Sequence, residues 1–133
     1  MDNNLTDKDW DTLLWRINEG KCTPFLGAGA CYGVLPLGAD IAKTWAEEEG
    51  YPLSDCDDLA RVAQFLAVDR KEPMFPKEKI VRQFKDASPP DFNKPDEPHG
   101  VMADLPLPIY ITTNYDDFMI QALKSRNKDP KLE

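Results

Sequence analysis

The stretch Pro24-Phe25-Leu26-Gly27-Ala28-Gly29-Ala30-Cys31 constrains this chain more than any other. It reads as the end of a β-strand that runs straight into a glycine-rich turn. Far downstream, Ile109-Tyr110-Ile111-Thr112-Thr113-Asn114-Tyr115-Asp116 repeats the design, a β-favouring run followed by a polar turn. Two such strand ends side by side make a crevice suited to a nucleotide, because ligands of open α/β sheets bind outside the carboxyl ends of the strands.

The glycine turn has a physical logic. Gly27 and Gly29 can take positive φ without a Cβ clash. A turn without side chains lets a diphosphate approach the backbone, where N–H groups can donate to it. The spacing is Gly-x-Gly followed by Gly33. It fits neither the dinucleotide fingerprint G-x-G-x-x-G nor a P-loop with its Gly-Lys-Ser/Thr ending. The fingerprint also wants an acid about 20 residues on at a strand end, whereas Glu47, Glu48 and Glu49 fall inside an expected helix. A tight strand-to-helix turn with no ligand is the competing reading.

In the second segment, Pro108 to Ile111 is bounded by proline before it and polar residues after it. Asn114 and Asp116 then stand where the strand must end. Either can bond ribose hydroxyls or position a water. Either can equally cap a following helix whose inner face is Phe118, Met119 and Ala122.

Helical punctuation fills the rest. Thr6 and Asp9 suit a capping box ahead of Trp10, Leu13, Leu14 and Ile17, which share one face, and Gly20 ends that helix. Pro36 is expected to start a second helix with Leu37, Ile41 and Trp45 inward, ended by Gly50. Asp57 or Asp58 begins a third, with Leu59, Val62, Phe65 and Leu66 as its stripe. Pro76 begins a fourth, with Ile80 and Phe84. Ser88 to Pro98 reads as a surface loop.

With 133 residues, one domain is expected, and a hydrophobic share of 41% suffices for a core. Only Cys22–Leu26 and Pro108–Thr112 read clearly as strands. A doubly wound parallel sheet needs more strands and helices on both faces. Residues 1–133 are therefore expected to form the N-terminal part of a larger α/β domain, with further strands supplied after Glu133 or by another chain. The net charge of −8 is a poor footprint for direct nucleic-acid binding. Lys124, Arg126, Lys128 and Lys131 are read as a solvated helix end. No apolar run is long enough to span a membrane. Three cysteines without a framework pattern fit a reducing cytoplasm.

The combination of Phe25-Leu26-Gly27-Ala28-Gly29-Ala30-Cys31, Leu35-Pro36, Pro98-His99 before a short helix, Leu105-Pro106, and Ile111-Thr112-Thr113-Asn114-Tyr115-Asp116 resembles the sirtuin-like superfamily. It is nearest to the bacterial branch found in defence proteins. The similarity covers nearly the whole chain, and the Thr-Thr-Asn-Tyr-Asp string is its most specific part. The resemblance implies a Rossmann-like parallel sheet flanked by helices, incomplete in residues 1–133. It implies NAD as substrate, with Gly27, Ala28, Gly29, Ala30, Cys31, Thr112 and Thr113 binding it. Asn114 and Asp116 would work beside the nicotinamide–ribose bond.

Departures matter as much. Pro36 is followed by Leu37-Gly38-Ala39-Asp40, without the Arg of the deacylase pattern. Cys22, Cys31 and Cys56 are too few and too dispersed for a zinc module, and no metal is expected. Cys31 stands where the family often has Ser. The family's general-base histidine follows the Asn-x-Asp motif, yet the single histidine here, His99, precedes it and reads as structural. These differences point from deacylation toward NAD+ hydrolysis in bacterial antiphage defence, with residues 1–133 catalytically incomplete. The alternative is a module that senses NAD or ADP-ribose without chemistry. Relatives of this kind imply a homo-oligomer, or a fused or paired sensor domain.

Overall fold

A computed structural model describes residues 4–133. Thr6 opens the first helix through a capping box. Its hydroxyl accepts the Asp9 N–H at 3.4 Å, and the Asp9 carboxylate accepts the Thr6 N–H at 2.9 Å. The helix, α1, runs Asp7–Asn18, and Gly20 follows in the left-handed region at φ +66°. Among the described residues the chain is mostly helical, with one small parallel sheet of two strands. It divides into two compact units.

Of the described residues, the first unit comprises 4–26, 91–113 and 117–133. It holds α1, strand β1 (Phe25–Leu26), helix α5 (Pro98–Asp104), strand β2 (Ile111–Thr112) and helix α6 (Phe118–Ser125). The strands pair in parallel with Phe25 opposite Ile111 and Leu26 opposite Thr112. The Ile111 N–H donates to Pro24 O at 2.9 Å and the Thr113 N–H to Leu26 O at 3.1 Å. Both strands are shorter than Cys22–Leu26 and Pro108–Thr112 suggested. β-favouring residues propose a strand, but ladder partners decide its length. Leu26 is buried, while Phe25 is 69% exposed and both β2 residues are exposed.

The core of this unit is α5 against α6. Phe118, Met119, Ala122 and Leu123 form one helical face and are all buried, as is Ala103 of α5. At the cation-rich end of α6, Lys124 and Lys131 are exposed as expected, whereas Arg126 and Lys128 are half-buried and hydrogen-bonded. Arg126 donates from Nε to Asp104 at 2.6 Å, from Nη1 to the Asn93 side chain and from Nη2 to Phe92 O at 2.8 Å. Lys128 Nζ donates to Leu105 O at 2.7 Å. These bonds staple the chain after α6 to the ends of α5, a role that sequence spacing does not reveal.

The apolar face assigned to α1 also differs from expectation. None of its residues is buried; Trp10 is 50% and Leu14 54% exposed, and Leu13 is exposed as well. Within its own unit, no helix or strand packs extensively against α1.

The second unit comprises 27–90 and 114–116. It holds a 3-10 turn (Ala28–Cys31), α2 (Gly38–Glu49), α3 (Leu59–Asp69) and α4 (Phe75–Lys85). Asp58 caps α3 by accepting the Arg61 N–H. Pro76 sits in the first turn of α4. α2 begins two residues later than Pro36, and Leu37 is exposed rather than inward. Gly50 closes it at φ +69°. Ile41, Ala42, Trp45, Val62, Leu66 and Ile80 pack into the core of this unit. Each large buried side chain contributes about 1.5–3 kcal/mol. Arg70 of the α3 C-cap and Lys79 of α4 both bind Glu49, tying the three helices together at their rim.

Candidate functional site

The glycine turn and the Asn114–Asp116 loop belong to the same unit, and the structure brings them together. Asn114 Nδ2 donates to Gly27 O at 3.1 Å and to Cys31 Sγ at 3.5 Å. Cys31 Sγ in turn donates to Asp116 Oδ2 at 3.2 Å. A continuous chain of hydrogen bonds thus runs from the Gly27 carbonyl through the Asn114 amide and the Cys31 thiol to the Asp116 carboxylate. The Asn114 amide is oriented by its two acceptors, with its Nδ2 toward the turn. Cys31 is 3% exposed, and Asn114 and Asp116 are half-buried. The helix-cap reading of Asn114 and Asp116 is not what is seen. Asp117 occupies the N-cap of α6; Asn114 and Asp116 instead bond across more than eighty residues of sequence to the turn.

Gly27 and Gly29 do not use positive φ, contrary to the first argument for them. Gly27 is extended at φ −111°, and the glycines in the left-handed region are Gly20, Gly33 and Gly50. Their second justification fits. A Cβ built at Gly27 or Gly29 meets nothing within 4 Å. Neither backbone strain nor packing requires glycine there. The turn is a bare strip of main chain with room above it. Its 3-10 geometry starts hydrogen bonding with the Ala30 N–H to Gly27 O at 3.0 Å, so the Ala28 and Gly29 N–H groups have no intrahelical acceptor. Ala28 and Gly29 are exposed, and Ala30 is half-buried. The site thus sets open backbone N–H groups, which can donate to an anion, beside a carboxamide and a carboxylate acceptor.

Thr112 and Thr113 belong to the first unit. Thr112 ends β2, and Thr113 follows it in the ladder; both are exposed.

His99 also lies in the first unit, at 1% exposure. Glu97 caps α5 by accepting the Gly100 N–H at 2.6 Å, and its other oxygen meets His99 Nδ1 at 2.8 Å. The imidazole stands edge-on to Phe118, with ring centres 5.8 Å apart, and to Phe92. Gly100 has a fold-level reason absent at Gly27: a Cβ there would lie 2.1 Å from Phe92 O. Within the Glu97-Pro98-His99-Gly100 run, Glu97 caps α5 and Gly100 allows the close approach of Phe92. That approach was not legible from sequence, where Gly100 carried no signal.

A groove elsewhere in the second unit is lined by residues that include Tyr51, Leu53, Arg61, Phe65 and Val68. It contains none of the binding or catalytic residues expected from sequence. No helix among the described residues is long and apolar enough to cross a membrane. Comparison of the chain with protein-family models, with curated proteins and with solved structures finds no match.

Proposed function

We propose that this chain is the NAD-binding part of a sirtuin-like NAD+ hydrolase built on a Rossmann-like sheet, the type that acts in bacterial antiphage defence. The single observation that carries the reading is the pairing of an unfilled glycine turn with Asn114, whose amide is bonded to Gly27 O. In this reading the backbone of Gly27, Ala28 and Gly29 faces the diphosphate. Asp116 accepts hydrogen bonds from ribose hydroxyls. Asn114 orients the ribose or the attacking water. The reaction joins a water oxygen to ribose C1′, breaks the C1′–N bond, and releases nicotinamide, ADP-ribose and a proton. Its transition state has oxocarbenium character, as in glycoside hydrolysis. Cys31 holds Asn114 and Asp116 in mutual register through its thiol.

No histidine follows Asp116 in residues 1–133. For these residues alone the reading expects NAD binding with little turnover. The test is calorimetric titration with NAD and ADP-ribose alongside chromatographic assay of nicotinamide, on the wild type and Asn114→Ala. Saturable binding weakened about tenfold or more by the substitution supports the site, at the 1–3 kcal/mol scale of a lost buried hydrogen bond. Nicotinamide release that depends on Asn114 supports hydrolysis. Tight binding without release, in a protein that also carries a downstream histidine, moves the assignment to a sensor. Absence of saturable binding refutes both.

A further inference from the structure

The face of α1 poses a separate question, independent of the nucleotide reading. Trp10, Leu13, Leu14 and Ile17 make one apolar stripe, yet Trp10, Leu13 and Leu14 are exposed and Ile17 is only half-buried. Isolated helices of about 12 residues are marginal in water, and most helix stability comes from burying an apolar face. Capping by Thr6 and Asp9 secures one end of α1 but leaves that face in solvent.

The stripe is compatible with a second copy as its occupant. Its spacing, three then one then three, is the same read in either direction. An antiparallel second copy would set Trp10 against Ile17 and Leu13 against Leu14, larger against smaller at the outer level. A two-fold interface must be self-complementary in this way. Charge gives the same answer. Asp9 and Arg16 are seven residues apart, close to two full turns, so they flank the stripe on one side. Antiparallel pairing brings Asp9 of one copy to Arg16 of the other, twice. Asp7 and Asp11 lie on the opposite flank, where the antiparallel partner presents Asn18. Parallel pairing would instead place those acids against Asp9. Arg16 makes no ion pair among the described residues; its guanidinium rests over the Trp15 ring, 5.3 Å from the centroid.

We propose that α1 is a self-association surface, and that two copies of this chain pair through antiparallel α1 helices. Sedimentation velocity across a concentration series tests it, on the wild type, Leu14→Glu, Arg16→Glu and the control Val68→Glu. Val68 is an exposed apolar residue of the other unit. The expected result is a discrete dimer whose dissociation constant rises at least about tenfold in Leu14→Glu, a shift of about 1.4 kcal/mol. Arg16→Glu weakens it in the same direction, and Val68→Glu leaves it unchanged. Leu14 and Arg16 are exposed, so circular dichroism is expected to show these variants folded. A wild type that stays monomeric to its solubility limit overturns the proposal, as does a dimer indifferent to Leu14→Glu or equally disrupted by Val68→Glu. A monomer would assign the stripe to an apolar surface of different sequence.

Discussion

Alanine at Gly27 and alanine at Gly100 are expected to have opposite consequences for stability. At Gly27 the backbone is already in a region open to any residue, and the added methyl meets nothing within 4 Å. The substitution leaves the folded state unchanged and narrows the unfolded ensemble, a gain of about 0.4–1 kcal/mol. At Gly100 the methyl would sit 2.1 Å from the Phe92 carbonyl oxygen, a backbone atom that cannot move alone. Overpacking of this kind costs about 1–3 kcal/mol or more. The two variants should therefore differ by roughly 1.4–4 kcal/mol, or about 5–14 °C in Tm for a chain of this size. Thermal melts followed by circular dichroism measure this directly. NAD titration of the same samples supplies the second half. If the bare turn exists for close approach of a diphosphate, Gly27→Ala and Gly29→Ala melt like the wild type or higher but bind NAD at least about tenfold more weakly. A Gly27→Ala variant that melts as low as Gly100→Ala would show that the fold itself needs that glycine. One that binds NAD normally would remove the turn from the site.

Cys31→Ser keeps a hydroxyl between Asn114 and Asp116 and is expected to retain NAD affinity, whereas Cys31→Val removes the donor to Asp116 and lowers it; titration of both variants decides. Leu66→Ala, fully buried between α3 and its neighbours, should lower stability by about 2–5 kcal/mol in urea unfolding. The Arg70 guanidinium and the Lys79 ammonium hold the Glu49 carboxyl below its usual range. Its stabilising contribution is thus present above the unfolded carboxylate pKa and lost as pH falls through the lower folded value. Glu49→Gln should therefore flatten the acid limb of the stability–pH curve; an unchanged limb would contradict this. Arg126→Ala should lower Tm by severing the bonds to Asp104 and Phe92 O, with Asn114→Ala as a comparison that affects binding more than melting.

The features legible in the sequence are those fixed by local chemistry. Thr6 with Asp9, Asp58, Gly20 and Gly50 marked helix ends because capping and left-handed stops depend on neighbours a few residues away. Phe118, Met119 and Ala122 were recognisable as an inner face from periodicity alone. The α1 stripe shows the limit of the same rule. Trp10 and Leu14 have the right spacing, but spacing cannot say whether anything covers them. Arg126 shows another limit: three of its acceptors come from Phe92, Asn93 and Asp104, a set assembled only by folding. At the site, the two motifs were visible separately. What their residue types did not disclose was that Asn114 gives its amide to Gly27 and Cys31 instead of capping α6, or that Cys31 joins Asn114 to Asp116.

In the proposed function, NAD lies on the glycine turn beside Asn114 and Asp116. Amide chemical-shift mapping during an NAD titration tests it most directly. Saturable shifts are expected to concentrate at Gly27, Ala28, Gly29 and the Asn114 side-chain amide. Shifts that map instead to the groove of Tyr51 and Phe65, or none that saturate, would contradict it.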